Sequence, residues 1–225
     1  GHDRQVRRVD GYKPVVISPE PMNYQLSRMT TVNDTIGFCY ADEGHAFYVL
    51  TFPTENKTYV YDASTQLWHL RTSQVSGHGR HRANCYAFFA GKHIIGDYAD
   101  GKLYELDSDT YTDDGAEIRK RASCELIRGN GRQMFFNRLE LEFEMAVGLT
   151  SGSYTDPTVS LEFTDDAHSW GYPIHEALGA VGAHGRRVMF NQLGAARERA
   201  FRWTITDPVK VVFVDAYLDG TAGLK

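Results

Sequence analysis

Ile36-Gly-Phe-Cys-Tyr-Ala-Asp-Glu-Gly-His-Ala-Phe-Tyr-Val-Leu-Thr-Phe52, followed by Lys57-Thr-Tyr-Val-Tyr-Asp62 and Leu67-Trp-His-Leu70, decides the fold. Polar turns at Asp42-Glu43-Gly44, at Pro53 to Lys57 and at Asp62 to Gln66 cut this stretch into four short runs rich in aromatic and β-branched residues. Short apolar runs separated by tight turns pair as consecutive antiparallel strands. The reading is a four-stranded unit.

The same order returns downstream. Cys39-Tyr40-Ala41 recurs as Cys85-Tyr86-Ala87, 46 positions on, and Lys57-x-Tyr59-x-x-Asp62 recurs as Lys102-x-Tyr104-x-x-Asp107, 45 positions on. That period is the length of a propeller blade. The second blade is expected as strands Ala83 to Phe89, His93 to Asp97 and Lys102 to Leu106, with turns at Ala90-Gly91-Lys92 and Asp100-Gly101. Asp-Gly predicts a type I′ hairpin turn, because both central residues need positive φ. The alternating Tyr, Val and Leu positions are expected to face the neighbouring blade.

From about Gly129 the pattern changes. Arg138-Leu-Glu-Leu-Glu-Phe-Glu144 alternates strictly, which predicts a strand with Leu139, Leu141 and Phe143 inside and its charges in water. Further strands are expected at Thr158 to Phe163, Phe201 to Thr206 and Val209 to Tyr217, two of them introduced by Asp156-Pro157 and Asp207-Pro208. The fold class is therefore all-β: propeller blades over residues 1–125, in an incomplete propeller, followed by a β-sandwich-like region over 126–225. Helix is expected only as short turns at Glu176 to Gly179 and Ala195 to Arg199.

Composition agrees and narrows the function classes. Among 225 residues, 13 Tyr, 12 Phe and 21 Gly favour short strands and turns over helical bundles. A formal net charge of −5 gives no field to hold a polyanion, so nucleic-acid binding as the main activity is disfavoured. The basic clusters at Arg4 to Arg8, Arg80-His81-Arg82 and Arg119-Lys120-Arg121 read as solvated faces. Cys39, Cys85 and Cys124 are an odd set in apolar surroundings and read as small buried side chains without disulfides. No apolar run approaches the roughly 18 residues of a membrane span. A soluble protein of a reducing compartment is expected, and the start at Gly1-His2 suggests a processed, tagged or later part of a longer protein.

Few motifs suggest chemistry. Thr164-Asp165-Asp166-Ala167-His168-Ser169-Trp170 resembles the aspartate-box turn of sialidase-type propellers, a structural device, although Ala167 and His168 replace its glycines. Asp107-Ser-Asp109-Thr-Tyr-Thr-Asp113-Asp114-Gly115 gathers carboxylates without the EF-hand spacing and reads as a solvated loop. His78, His81 and His93 with Cys85 lack the spacing of a closed zinc site. No nucleophile elbow or phosphate loop is present, so no catalytic residue, metal or cofactor is expected. Exposed loops at Ser73 to Gly79 and Thr150 to Asp156 are candidate partner contacts.

The ordered run Asp42-Glu43-Gly44-His45-Ala-Phe47-Tyr48 to Pro53, Lys57 to Asp62, Leu67-Trp68-His69, Arg80-His81-Arg82-Ala-Asn84, Gly96-Asp97-Tyr98-x-Asp100-Gly101, Tyr111 to Gly115, the Trp170 box, Thr206-Asp207-Pro208-Val209 and Ala216-Tyr217-Leu218 closely resembles the packaged-DNA stabilization family, the tail hub of short-tailed phages. The resemblance covers nearly all of the chain, which looks like the C-terminal half of a full member. It implies a structural protein of the virion, made in the host cytoplasm, that binds below the portal and adaptor ring and helps retain packaged DNA. It also implies attachment of the tail needle and tailspikes, assembly as a homo-oligomer, and DNA passing through without sequence-specific binding. A carbohydrate-binding or sialidase-like propeller is the alternative, suggested by the Trp170 box and the many Tyr. A kelch-like interaction module is the third reading, suggested by Tyr61-Asp62 followed by Trp68.

Overall fold

The computed structural model describes residues 3–73, 78–144, 148–150 and 154–223. The chain forms two compact units, Gly1–Ser108 and Asp109–Lys225.

Unit 1 opens with a hairpin of β1 (Arg7–Asp10) and β2 (Lys13–Val16) and continues into α1 (Glu20–Arg28). The helix starts at Pro19, carries Pro21 in its first turn, where no intrahelical donor is required, and places Met22 and Leu26 on one buried face four residues apart. The Arg4 guanidinium donates to the Leu26 and Met29 carbonyls left open at its end. This helix is absent from the sequence expectation, which put helical turns elsewhere. Glu176 and Ala177 instead lie in a strand, as do Ala195–Ala196 and Glu198–Arg199, because cross-strand pairing outweighs their local helix propensity.

The first blade is a sheet of β3 (Ile36–Asp42), β4 (His45–Phe52), β5 (Lys57–Asp62) and β6 (Leu67–Leu70), paired in chain order. Its middle strands are buried on both sides. Leu50, Phe52 and Tyr59 pack on Met22, Leu26 and Met29 of the helical segment. Val49 and Val60 point the other way, joining Tyr40 in a cluster with Phe38, Phe47, Tyr86 and Leu106. The second blade supplies Tyr86 and Leu106: it consists of β7 (Ala83–Phe89), β8 (Lys92–Asp97) and β9 (Leu103–Leu106), again in chain order. Phe38 and Tyr86, on the first strands of the two blades, stack at 5.3 Å between ring centroids.

Turn chemistry keeps the two blades alike. Glu43-Gly44, with φ of 47° and 84°, and Ala90-Gly91, with 50° and 79°, make the same two-residue connection in β3–β4 and β7–β8. Asp100-Gly101 departs from the expected I′ turn, since only Gly101 has positive φ. The Asp100 carboxylate accepts the N–H of Lys102 instead, closing the bend through a side chain.

The cysteines also depart from expectation: all three are free and exposed. In β3 the pleat turns Phe38 and Tyr40 toward the inter-blade cluster, so Cys39 between them points outward. Cys85 is the repeat-equivalent residue, next to Tyr86, and shares the outcome. A Cβ on Gly96 would lie 2.7 Å from the Cys85 sulfur. Only glycine fits there without displacing the thiol.

Unit 2 contains β10 (Thr112–Asp113), β11 (Ala116–Glu117), β12 (Lys120–Ser123), β13 (Ile127–Arg128), β14 (Met134–Phe143), β15 (Thr158–Thr164), β16 (Ile174–Ala177), β17 (Val188–Asn191), β18 (Ala195–Ala196), β19 (Glu198–Ile205) and β20 (Phe213–Ala222). One sheet runs β12-β19-β15-β16, with β13 also on β19. The other runs β17-β14-β18, with β20 on the opposite flank of β14. Leu139, Leu141 and Phe143 of β14 are buried as the alternation predicts, against Val159, Leu161, Phe201 and Ile205 of the facing sheet.

Two boundaries fall elsewhere than the sequence suggests. The division between units lies at Ser108/Asp109 rather than at 125/126, since β12 pairs with β19 and so belongs to the sandwich. The last strand begins at Phe213, because the Val209 and Asp207 carbonyls bind the Lys120 ammonium and hold the preceding segment as a packed loop.

Leu161, fully buried at the centre of the sandwich, tests this core. Leu161→Ala is expected to lower unit 2 stability by about 2–5 kcal/mol, read by urea unfolding with hydrogen exchange of β15 and β19. Leu67→Ala, on an exposed side chain, should stay within about 0.5 kcal/mol.

Candidate interaction surface

The aspartate-box-like segment forms the tip between β15 and β16. One Asp166 carboxylate oxygen accepts the His168 and Ser169 N–H groups at 2.8 and 2.7 Å and the Thr164 hydroxyl at 2.8 Å. Those backbone donors hold the Asp166 carboxyl far below the usual carboxylate range. Asp165 receives the Arg199 guanidinium through two bonds of 2.6 and 2.8 Å. Arg199 is buried, 4.2 Å from the Phe163 ring and 5.0 Å from that of Phe136, and also donates to the Leu193 carbonyl. The Arg202 guanidinium lies 3.8 Å from the Trp170 ring and binds Glu162. One face of Trp170 is thus taken by a cation, which removes it as a platform for a sugar.

The other motif residues stay apart. His81 is buried, its ring nitrogen Nδ1 accepting the Ala83 N–H and its own N–H donating to the Thr58 hydroxyl. His93 Nδ1 is 2.8 Å from the Tyr86 hydroxyl, and Cys85 is exposed. Among the described residues no group of three or more His, Cys, Asp or Glu is placed to hold a metal ion. The carboxylate-rich stretch ends in the hairpin β10–β11, turned by Asp114-Gly115 with φ of 52° and 78°.

The basic cluster at Arg80 to Arg82 is a joint rather than a solvated face. Arg80 and His81 are buried. The Arg80 N–H donates to Asn56, its guanidinium lies 4.0 Å from the Tyr98 ring, and Arg82 combines a 3.0 Å ion pair to Asp97 with a 4.3 Å approach to Tyr104. These bonds fasten the approach to β7 onto the β4–β5 turn and β5. No local pattern announces them, since Asn56 and Thr58 lie more than twenty residues earlier in the chain.

What remains outward is apolar. Phe88, Phe89 and Leu103 of the second blade are 62%, 75% and 73% exposed, and Leu67 and Leu70 of β6 are exposed on the first. Contiguous apolar exposure of this kind marks an interaction surface. Of the loops expected to make contacts, residues 74–77 and 151–153 lie outside the described residues. Within the second loop, Leu149 N–H bonds the Tyr154 carbonyl, and the Tyr154 hydroxyl donates to Glu117.

Two linked blades, a separate sandwich and apolar faces turned outward define a structural β protein of the kind that works by assembly. Comparison with known families gives the same division: residues 3–111 match "Bacteriophage P22 Gp10, beta-propeller" and residues 121–221 match "Bacteriophage P22 Gp10, beta-sandwich". The chain belongs to the bacteriophage P22 Gp10 family, phage structural proteins that stabilise packaged DNA. A search of curated proteins returns no match. No helix among the described residues is long and apolar enough to cross a membrane.

Burial drives the His81 pKa down from 6.5 to about 3, with Arg71, Arg82 and Arg80 adding to the effect. Between these values the unfolded chain binds the proton that folded His81 refuses, so stability should fall as pH drops from about 6.5 toward 3. Thermal denaturation of the wild type and His81→Gln across this range checks it. The variant should lose one proton's share of the slope.

Proposed function

We propose that this chain works in the tail hub of a short-tailed phage, seated below the portal and adaptor ring, where it helps retain packaged DNA and offers attachment for the tail needle and tailspikes. Several copies surround the channel, and DNA passes without sequence-specific contact. The observation that carries this reading is the outward apolar flank of Phe88, Phe89 and Leu103 on a blade of the matched family. An apolar flank suits lasting contact with protein and gives nothing to a phosphate backbone.

Charge supports the same view. The net charge of −5 opposes tight wrapping of DNA, and several of the basic residues that could offset it are engaged internally. Arg80 and Arg82 lie on Tyr98 and Tyr104, Arg199 binds Asp165, and Lys120 binds backbone carbonyls. A weakly negative conduit retains DNA by closure and releases it without a large electrostatic barrier.

Co-sedimentation with a purified portal and adaptor complex tests the proposal. The wild type should bind, and Phe89→Glu with Leu103→Glu should weaken binding by at least about tenfold, the scale of a buried apolar anchor. Trp170→Ala should leave binding unchanged. A chain that ignores the portal and adaptor complex but binds a glycan array, with that signal lost in Trp170→Ala, would overturn the assignment.

A further inference from the structure

The sandwich is closed on one side and open on the other. At the closed side β16 and β17, the outer strands of the two sheets, pack together. At the other side the outer strands are β12 and β20, each paired on one flank only. Between them lies an apolar pocket of about 350 Å³, bordered by Ala122 and Cys124 on one rim and Phe213 and Leu218 on the other, with Leu141 and Leu161 at its floor. Core side chains therefore border a gap that neither sheet covers.

The two rims carry opposite charge. Strand β20 presents exposed Asp215 and Asp219 along ten residues that contain no Lys, Arg or Pro. The opposite rim, β12 and β13, presents exposed Arg121 and Arg128. A long edge strand without a positive charge or proline is a ready template for another strand. Two β20 strands pairing with each other would bring aspartates together, whereas β20 against a β12–β13 rim matches acid with base.

We propose that the open side is the interface between two copies of this chain, related by a two-fold axis, with β20 of each copy adding to the β12–β13 rim of the other. Because each copy offers one acidic and one basic rim on the same side, both unions form at once and the contact closes on itself. The two pockets then face each other and become one core. This gives the homo-oligomer of the tail-hub reading a specific contact, and it is argued from the sandwich alone.

Sedimentation of the whole chain over a concentration series decides it. The wild type should form a dimer that weakens at high salt. Asp215→Arg with Asp219→Arg, and separately Arg121→Asp with Arg128→Asp, should each weaken self-association at least tenfold while near-UV dichroism and melting temperature stay close to wild type. Mixed together, the two double variants should restore a one-to-one dimer, since each then supplies two rims of one sign. A wild type that stays monomeric at low salt and high concentration, self-association untouched by either double variant, or failure of the mixture to recover would each overturn the proposal. Any of these would leave the tail-hub assignment standing, because that is read by binding to the portal and adaptor complex.

Discussion

A β-strand in a folded protein has two faces and two flanks, and the whole of this molecule is organised by how each of them is covered. In β4 and β5 the pleat sends Leu50 and Tyr59 to the helical segment and Val49 and Val60 to the second blade, so consecutive residues enter different cores. In β14 the same alternation sends Leu139, Leu141 and Phe143 inward and leaves Glu140, Glu142 and Glu144 on the outside, two of them paired with Arg187 and Lys210. A one-residue slip would exchange these sets. The pairing registers of both units are fixed by this hydrophobic requirement and by the turns that set where each strand begins.

Where the alternation is clean, the chain can be read directly: β14 and the matched turns at Glu43-Gly44 and Ala90-Gly91 follow from residue order. Where both faces of a strand are apolar, it cannot. Phe38, Cys39 and Tyr40 could point either way on hydrophobicity alone, and the thiol goes outward because the larger rings gain more from the inter-blade cluster. Helix α1 is hidden by brevity and by two prolines, and its buried face is visible only once Leu50 and Tyr59 stand opposite it. Val209 to Val212 has strand composition but is held by a lysine from far upstream. The Arg80 to Arg82 joint and the Arg199 to Asp165 pair are likewise long-range, and composition carries no sign of them.

The functional surface was the least legible part, because it is defined by what is left uncovered. Motifs that look chemical in one dimension are consumed by structure in three: the aspartate box bonds its own turn, His81 sits in a joint, and Trp170 lies against Arg202. Outward faces of Phe88, Phe89 and Leu103 and the open side of the sandwich carry no motif at all. Interfaces of an assembly protein are expected to read this way, since ordinary apolar residues acquire meaning only from where the fold places them.

The three outward thiols, Cys39, Cys85 and Cys124, make that coverage visible. Cys39 and Cys85 occupy corresponding places on two blades, and Cys124 stands at the mouth of the sandwich pocket. A free chain offers all three to a soluble alkylating reagent, and each surface that becomes occupied in a particle withdraws its own sulfur from reaction. The pattern of labelling in an assembled virion therefore forms a three-point footprint of which faces have found their partners, with no label needing to be engineered.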